Sequence, residues 1–354
     1  MKLLIFVNKL DENDDLLGFF PGWVYGLARN MEKISVITQH AGRFENHPNI
    51  AVYSLDKKNN PSLVGRMLGY WRLLWRLRGE YDLIFAFMAP IWAIASAPAK
   101  YFLGKKLVMW YAVWKDSLKL RKAAFFCDKI ITSVPEAFPF KTKKLAAVGQ
   151  GIDISYFTPN DAVREKNSLL FLGRISPIKK LGVLLSSLKI IGEKNPDIFS
   201  KMKLAIAGGA SSEADEKYLE KLKNQAKELR LEEKISWLGR ISHKEISPYY
   251  QRAEIFINLT PTGSFDKTIL EAMSSGCLVL ASNKALQRYY DEDMKNNFLF
   301  KEGDADDLAA KLSELFKLPE SNAANYRKIS RDIIIRDHSK ENLVEKLVTV
   351  LKAA

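Results

Sequence analysis

Ala253-Glu-Ile-Phe-Ile-Asn-Leu-Thr260-Pro-Thr-Gly-Ser-Phe-Asp266-Lys-Thr-Ile-Leu-Glu271-Ala-Met-Ser-Ser-Gly276-Cys-Leu-Val-Leu-Ala-Ser282 carries the reading of this chain. The apolar run Ile255 to Leu259 reads as a short buried strand, and the turn-rich stretch Thr260 to Asp266 as a loop. A helix is expected from Lys267 to Ser275, then a second buried strand from Cys277 to Ala281. In a parallel sheet such a unit aims the first N–H groups of its helix at whatever lies above the strand ends. Those groups belong here to Lys267, Thr268, Ile269 and Leu270, and they suit a phosphate. Glu271 falls one turn inside the helix, where its carboxylate can accept hydrogen bonds from a ribose diol.

Outward from this stretch, apolar runs alternate with helical periodicity along nearly the whole chain, the mark of βα units. In the first half strands are expected near Leu3–Val7, Ser35–Thr38, Ala51–Leu55, Leu83–Phe87, Lys106–Tyr111 and Lys129–Thr132, with a helix from Pro90 to Phe102. In the second half they are expected near Leu169–Gly173, Lys203–Ala207, Ile235–Leu238 and the two already named. Helices there fall near Leu181–Lys194, Asp215–Leu229, Lys244–Gln251 and Ala305–Phe316. The polar stretch Asp153 to Asn167 reads as a linker, which divides the chain into domains 1–157 and 158–337 with a final helix beyond.

The 354 residues suffice for two domains with full cores, and 47% hydrophobic with 27% charged residues is globular composition. No run of eighteen apolar residues occurs, and Met1 to Val7 is too short for a signal peptide and reads as a buried strand. Cys127 and Cys277 read as reduced core residues, which points to the cytoplasm. The four histidines show no ligand spacing, so no metal site is expected. The net charge of +13 calls for an anionic partner; nucleic acid is set aside because no RNA- or DNA-binding motif accompanies the charge.

Glu271-Ala-Met-Ser-Ser-Gly276 resembles the donor-site signature of the retaining glycosyltransferases of the GT-B fold, family 4 type. Leu169-Leu-Phe-Leu-Gly173-Arg174, with Lys179 five residues on, matches the family's Gly-Arg and Lys position by position. Gly208 and Gly239, each closing an apolar strand run, are similar to the family's glycine turns beside the nucleotide. The resemblance covers most of Lys129 to Ala281. It departs from the pattern at Gly263, where the family has a first Glu; at Phe19, which follows Gly18 where a Gly pair touches the diphosphate; and in the absence of a His after Trp110.

The resemblance implies an α/β protein of GT-B fold: two Rossmann-like parallel-sheet domains facing each other across a cleft, the first binding acceptor and the second the donor. It implies a metal-independent hexosyltransferase that takes a nucleoside diphosphate sugar, UDP or GDP, as co-substrate without a further cofactor. Arg174 and Lys179 would stabilise the departing diphosphate and Glu271 would hold the ribose. Asp266 stands as an N-cap or as a substitute for the missing Glu on the sugar, and Asp116 as a catalytic group or an ordinary surface charge. Asp304-Ala-Asp306 looks like a metal-binding pair but reads better as a helix cap. The acceptor would be a glycan or lipid-linked molecule. The alternative is a non-catalytic nucleotide-sugar-binding or partner subunit of the same fold.

Residues 62–78 form one further feature. Arg66, Arg72, Arg76 and Arg78 interleave with Tyr70, Trp71 and Trp75, with no acid among them. As a helix this segment either packs on the sheet or touches an anionic membrane surface, with Arg66, Arg72 and Arg76 sharing one face.

Overall fold

The computed structural model describes residues 1–14, 16–262 and 265–354. They form two compact units, Met1–Gly151 with Lys340–Ala354, and Ile152–Ser339. Each is a parallel sheet with helices packed on it.

The first unit holds β1 (Lys2–Leu10), β2 (Lys33–Ala41), β3 (Ile50–Ser54), β4 (Leu83–Phe87), β5 (Lys106–Trp110), β6 (Lys129–Thr132) and β7 (Leu145–Ala147). Their order is β3-β2-β1-β4-β5-β6-β7, all parallel. Leu4, Ile5, Phe6, Ile84 and Phe85 are wholly buried, which is why these runs are continuously apolar rather than alternating. One face packs Trp23, Leu27 and the helix Lys340–Lys352; the other packs Tyr70, Leu74, Trp92, Ala99, Leu120 and Ala123. The expected helix Pro90–Phe102 is broken into Pro90–Ala95 and Ala97–Leu103. Pro98 supplies the reason, having no N–H to offer the Ile94 carbonyl, and at the break Ser96 gives both its N–H, at 2.9 Å, and its Oγ–H, at 2.7 Å, to the Trp92 carbonyl.

The second unit holds β8 (Ser168–Leu172), β9 (Lys203–Ala207), β10 (Ile235–Gly239), β11 (Ile255–Asn258) and β12 (Leu278–Ala281), ordered β10-β9-β8-β11-β12 and parallel throughout. The strand order reverses between β8 and β11. In an open α/β sheet the loops leaving two such strands part to opposite faces, and the crevice beyond their carboxyl ends is where ligands bind. The helix Lys267–Ser274 leaves β11 and ends cleanly at Gly276, whose φ of +78° is the left-handed stop. Gly276 N–H reaches Met273 O at 3.2 Å and Cys277 N–H reaches Ala272 O at 2.9 Å.

Cys127 and Cys277 are buried and free, and burial pushes both thiols up to about 12. Asp304 caps the helix Ala305–Leu315, its side chain accepting from Asp307 N–H at 2.9 Å. No helix among the described residues is long and apolar enough to cross a membrane.

The C-terminal helix is part of the first unit's core: Leu343, Leu347 and Leu351 are 0–1% exposed, and Val344 also packs there. Leu347→Ala is expected to lower the unfolding free energy by about 2–4 kcal/mol. Urea denaturation followed by near-ultraviolet circular dichroism, which reports Trp23 and Trp110 beside that helix, checks it.

Candidate active site

Three strands of the second unit finish on glycines with positive φ: Gly173 after β8 at +154°, Gly208 after β9 at +139° and Gly239 closing β10 at +68°. The turns are laced together. Gly173 N–H donates to Ala207 O at 3.0 Å, Gly208 N–H to Gly239 O at 2.7 Å, and Ile175 N–H to Gly209 O at 3.1 Å. At Gly208 no side chain fits, since a Cβ would lie 1.8 Å from the Gly173 carbonyl oxygen. The turns after β8 and β9 thereby pack backbone against backbone, and the Arg240 side chain lies over Gly209 beside them, its guanidinium donating to the Ala210 carbonyl.

Arg174 follows Gly173 and is exposed. Lys179, on the short turn Pro177–Lys179, is half-buried and forms an ion pair with Asp266, the residue that opens the helix after β11. The Asp266 Oδ2 atom also accepts from Thr260 Oγ1 at 2.5 Å and Asn258 Nδ2 at 3.1 Å, while Lys179 Nζ donates to Thr260 Oγ1 at 2.8 Å. The ends of β8 and β11 therefore meet at one carboxylate oxygen. Burial works against the charged form of Asp266, but the Lys179 ammonium and the three hydrogen bonds outweigh it and hold the carboxyl below the usual carboxylate range.

This corrects one expectation: Asp266 occupies the N-cap position but makes no side-chain cap bond, its Oδ2 being turned to Lys179, Asn258 and Thr260 instead. The helix start is also narrower than the four amides expected. Ile269 N–H is engaged with the Asp266 carbonyl at 3.2 Å, and Leu270, a turn in, is where the helix's own bonding begins. Of the four, Lys267 and Thr268 are the amides that open the helix. Gly263 lies outside the described residues.

Glu271 is buried, 4% exposed, with both carboxylate oxygens engaged. Tyr250 Oη donates to Oε2 at 2.9 Å, and His243 Nε2 lies 3.3 Å from Oε1. Tyr250 sits on the helix Ser247–Arg252 and is wholly buried; burial first and then Glu271 push its hydroxyl well above the ordinary tyrosine value, so it stays a donor. Phe157 and Tyr156 flank the His243 ring at centroid distances of 5.6 and 6.3 Å. A carboxylate fixed this way can accept from a ligand diol only in the directions left open. One turn before it, Lys267 has its ammonium pushed down to about 7 by burial, with Glu271 opposing.

Tyr250, His243, Asn258 and Thr260 escaped the sequence reading. Tyr250 and His243 lie 21 and 28 residues from Glu271 with no fixed local spacing. Asn258 carried a faint signal, a polar residue closing an apolar strand. The remaining expectations fall in the first unit. Gly18 tightens the turn before the helix Phe20–Ala28, its N–H on Asp14 O at 2.9 Å, and a Cβ there would lie 2.5 Å from that oxygen. Asp116 is an exposed partner of Arg121.

A sequence profile described as glycosyl transferases group 1 matches residues 155–332. The mannosylfructose-phosphate synthase of Agrobacterium fabrum is 28% identical over 167 residues, which are 42% of this chain and 36% of that protein. The alpha-monoglucosyldiacylglycerol synthase of Streptococcus pneumoniae is 30% identical over 159 residues, 44% of this chain and 33% of that one. The matched region thus spans about a third of the length of these curated relatives. Among solved structures, Anabaena HepE in complex with UDP superposes with a TM-score of 0.78 at 17% identity, covering 100% of both chains. The sucrose-phosphate synthase of Thermosynechococcus elongatus gives 0.79 at 15% identity, covering 100% of this chain and 99% of that one. At such identities the likeness is one of fold, here the GT-B fold.

The depressed Lys267 has a signature in stability. Its folded value of about 7 lies below the ordinary lysine value of 10.5, so between those limits the unfolded chain binds more protons and stability rises with pH. Melting curves of the wild type and Lys267→Met at pH 7.5 and 9.5 check this. The wild type is expected to gain on the variant by several degrees at the higher pH; parallel curves would place the ammonium in water.

Proposed function

Since the chain belongs to the glycosyl transferases group 1 family, we propose that it moves a hexose from a nucleoside diphosphate sugar, of UDP or GDP, to a glycan or lipid-linked acceptor. The observation that carries this is the convergence, at the β8–β11 reversal, of Arg174, the Lys179–Asp266 pair and the helix leading to Glu271. The solved structure of Anabaena HepE with UDP supports a uridine donor.

In this reading the diphosphate lies over the glycine turns, between Arg174 and the opening amides of Lys267 and Thr268. As the bond from the anomeric carbon to phosphate oxygen breaks, negative charge builds on that oxygen, and Arg174 and Lys179 stabilise it. The acceptor hydroxyl attacks the same face and its proton passes to the departing phosphate, so the configuration is retained. The step uses no protein nucleophile and no metal ion. Glu271, held by Tyr250 and His243, receives the ribose hydroxyls, and Asp266 reaches the sugar. The acceptor binds the first unit, and the protein works in the cytoplasm, in part at the inner face of the membrane, in the synthesis of cell-surface polysaccharide or glycolipid.

One observation favours the second reading, a subunit that binds nucleotide-sugar without turnover: Asp266 already holds the Lys179 ammonium that the leaving group requires. Glu271→Ala separates the two, abolishing transfer in an enzyme and only loosening nucleotide in a binding subunit.

Thermal stabilisation by UDP, GDP, ADP and TDP and their sugar conjugates, without added metal, tests the donor site. One diphosphate at about 100 times its Kd is expected to contribute roughly 2.7 kcal/mol, and Arg174→Ala to weaken it by about tenfold or more. No shift with any of them would contradict the assignment.

A further inference from the structure

The helix Leu63–Arg76 carries two apolar stripes, and packing accounts for one. Tyr70 and Leu74 face the first sheet and join the buried cluster of Trp92, Ala99, Leu120 and Ala123. The other stripe, Val64, Leu68, Trp71 and Trp75, repeats at the helical spacing and points outward, at 67, 58, 42 and 59% exposed. The two neighbouring helices on the same face of the sheet do likewise: Phe102 of Ala97–Leu103 is 84% exposed, and Leu118 and Phe125 of Leu118–Phe126 are 79 and 73% exposed.

The face is continuous. Trp71, Trp75, Pro98 and Phe102 line a groove of about 170 Å³ between the first two helices. Tyr101 and Phe126 join the second to the third, their rings 6.2 Å apart. Exposed apolar area of this extent is uncommon on a monomer and marks an interaction surface.

Charge identifies the occupant. Between Lys57 and Cys127 stand thirteen Lys and Arg and three acids, so most of the net charge of +13 lies in about a fifth of the chain. All three acids are engaged: Glu80 with Lys33 at 2.6 Å, Asp116 with Arg121, and Asp82 on the Lys2 N–H at 2.7 Å. Arg72, Arg76, Lys119 and Lys122 remain exposed around the aromatic rings. Arg66 does not join them, contrary to the helical-wheel expectation: it is buried and donates to the carbonyls of Asn60 at 2.8 Å and Pro61 at 2.5 Å.

We infer that this three-helix face docks the protein on an anionic phospholipid bilayer, with Trp75 and Phe102 entering the acyl boundary and the basic side chains meeting the headgroups. The inference rests on the membrane-side location proposed above and assigns it a surface that extends well beyond residues 62–78.

The full chain is sedimented with vesicles of equal phosphatidylglycerol and phosphatidylcholine, and with vesicles of phosphatidylcholine alone, at low and high salt. Binding is expected to the anionic vesicles, to fall with salt, and to weaken about tenfold in Trp75→Ser/Phe102→Ser and in Arg72→Glu/Lys122→Glu. Equal binding to both vesicles overturns the inference, as does unchanged binding by both variants. A wild type that ignores vesicles but self-associates through this face, as a second copy would require, overturns it too. Nucleotide-induced thermal stabilisation, read on the same samples, shows that the variants are folded. It also reports the donor site separately, so failure of the lipid docking and failure of the transferase reading are told apart.

Discussion

One oxygen atom holds the second unit's site together. Asp266 Oδ2 receives Lys179 from the end of β8 and Asn258 and Thr260 from the end of β11, across the point where the strand order reverses. Side chains of both ion-pair partners are only 16% exposed, so neither charge could rest there alone. A crevice that parallel strands would otherwise leave open is tied shut beneath a polar floor. The first amides of the Lys267–Ser274 helix and the Glu271 carboxylate are fixed relative to that floor.

The same economy governs the groups around it. The glycine turns at Gly173 and Gly208 bring backbone against backbone, and the 1.8 Å approach that a Gly208 Cβ would make to Gly173 O shows how little room is left between them. Tyr250 and His243 orient Glu271 before any ligand arrives, which removes an entropic cost of ordering it at binding. Lys267 and Lys179 illustrate two fates of a cation in a dry crevice. Lys267 is shifted toward neutrality by burial. Lys179 is matched with a carboxylate.

What the sequence disclosed follows from which forces are local. β4, β6 and β9 are bounded as expected because each is a short apolar run cut off by charged or turn residues on both sides. The three-residue β7 was too short to register against its surroundings. The strand–loop–helix–strand run around Glu271 and the strand that ends before Gly173 were legible because they depend on chain-adjacent residues. The Lys179–Asp266 pair spans 87 positions, and nothing in either neighbourhood announces it. The N-cap reading of Asp266 failed for that reason: local statistics favour capping, and a distant ammonium with two nearby donors outbid the helix. Arg66 is a similar case, drawn inward by the Asn60 and Pro61 carbonyls of the loop before its helix.

The central claim is that the crevice holding the Lys179–Asp266 pair is the diphosphate site, with Lys179 shared between Asp266 and the leaving group. Isothermal titration of UDP and GDP into the wild type and Asp266→Asn tests it most directly. Removing the carboxylate frees the ammonium and takes a like charge away from the phosphate. The account therefore predicts tighter binding of the preferred diphosphate, by about tenfold, the worth of one charge-assisted contact. Unchanged or weaker binding would contradict it, placing the diphosphate elsewhere or making Asp266 no more than a brace for the loop.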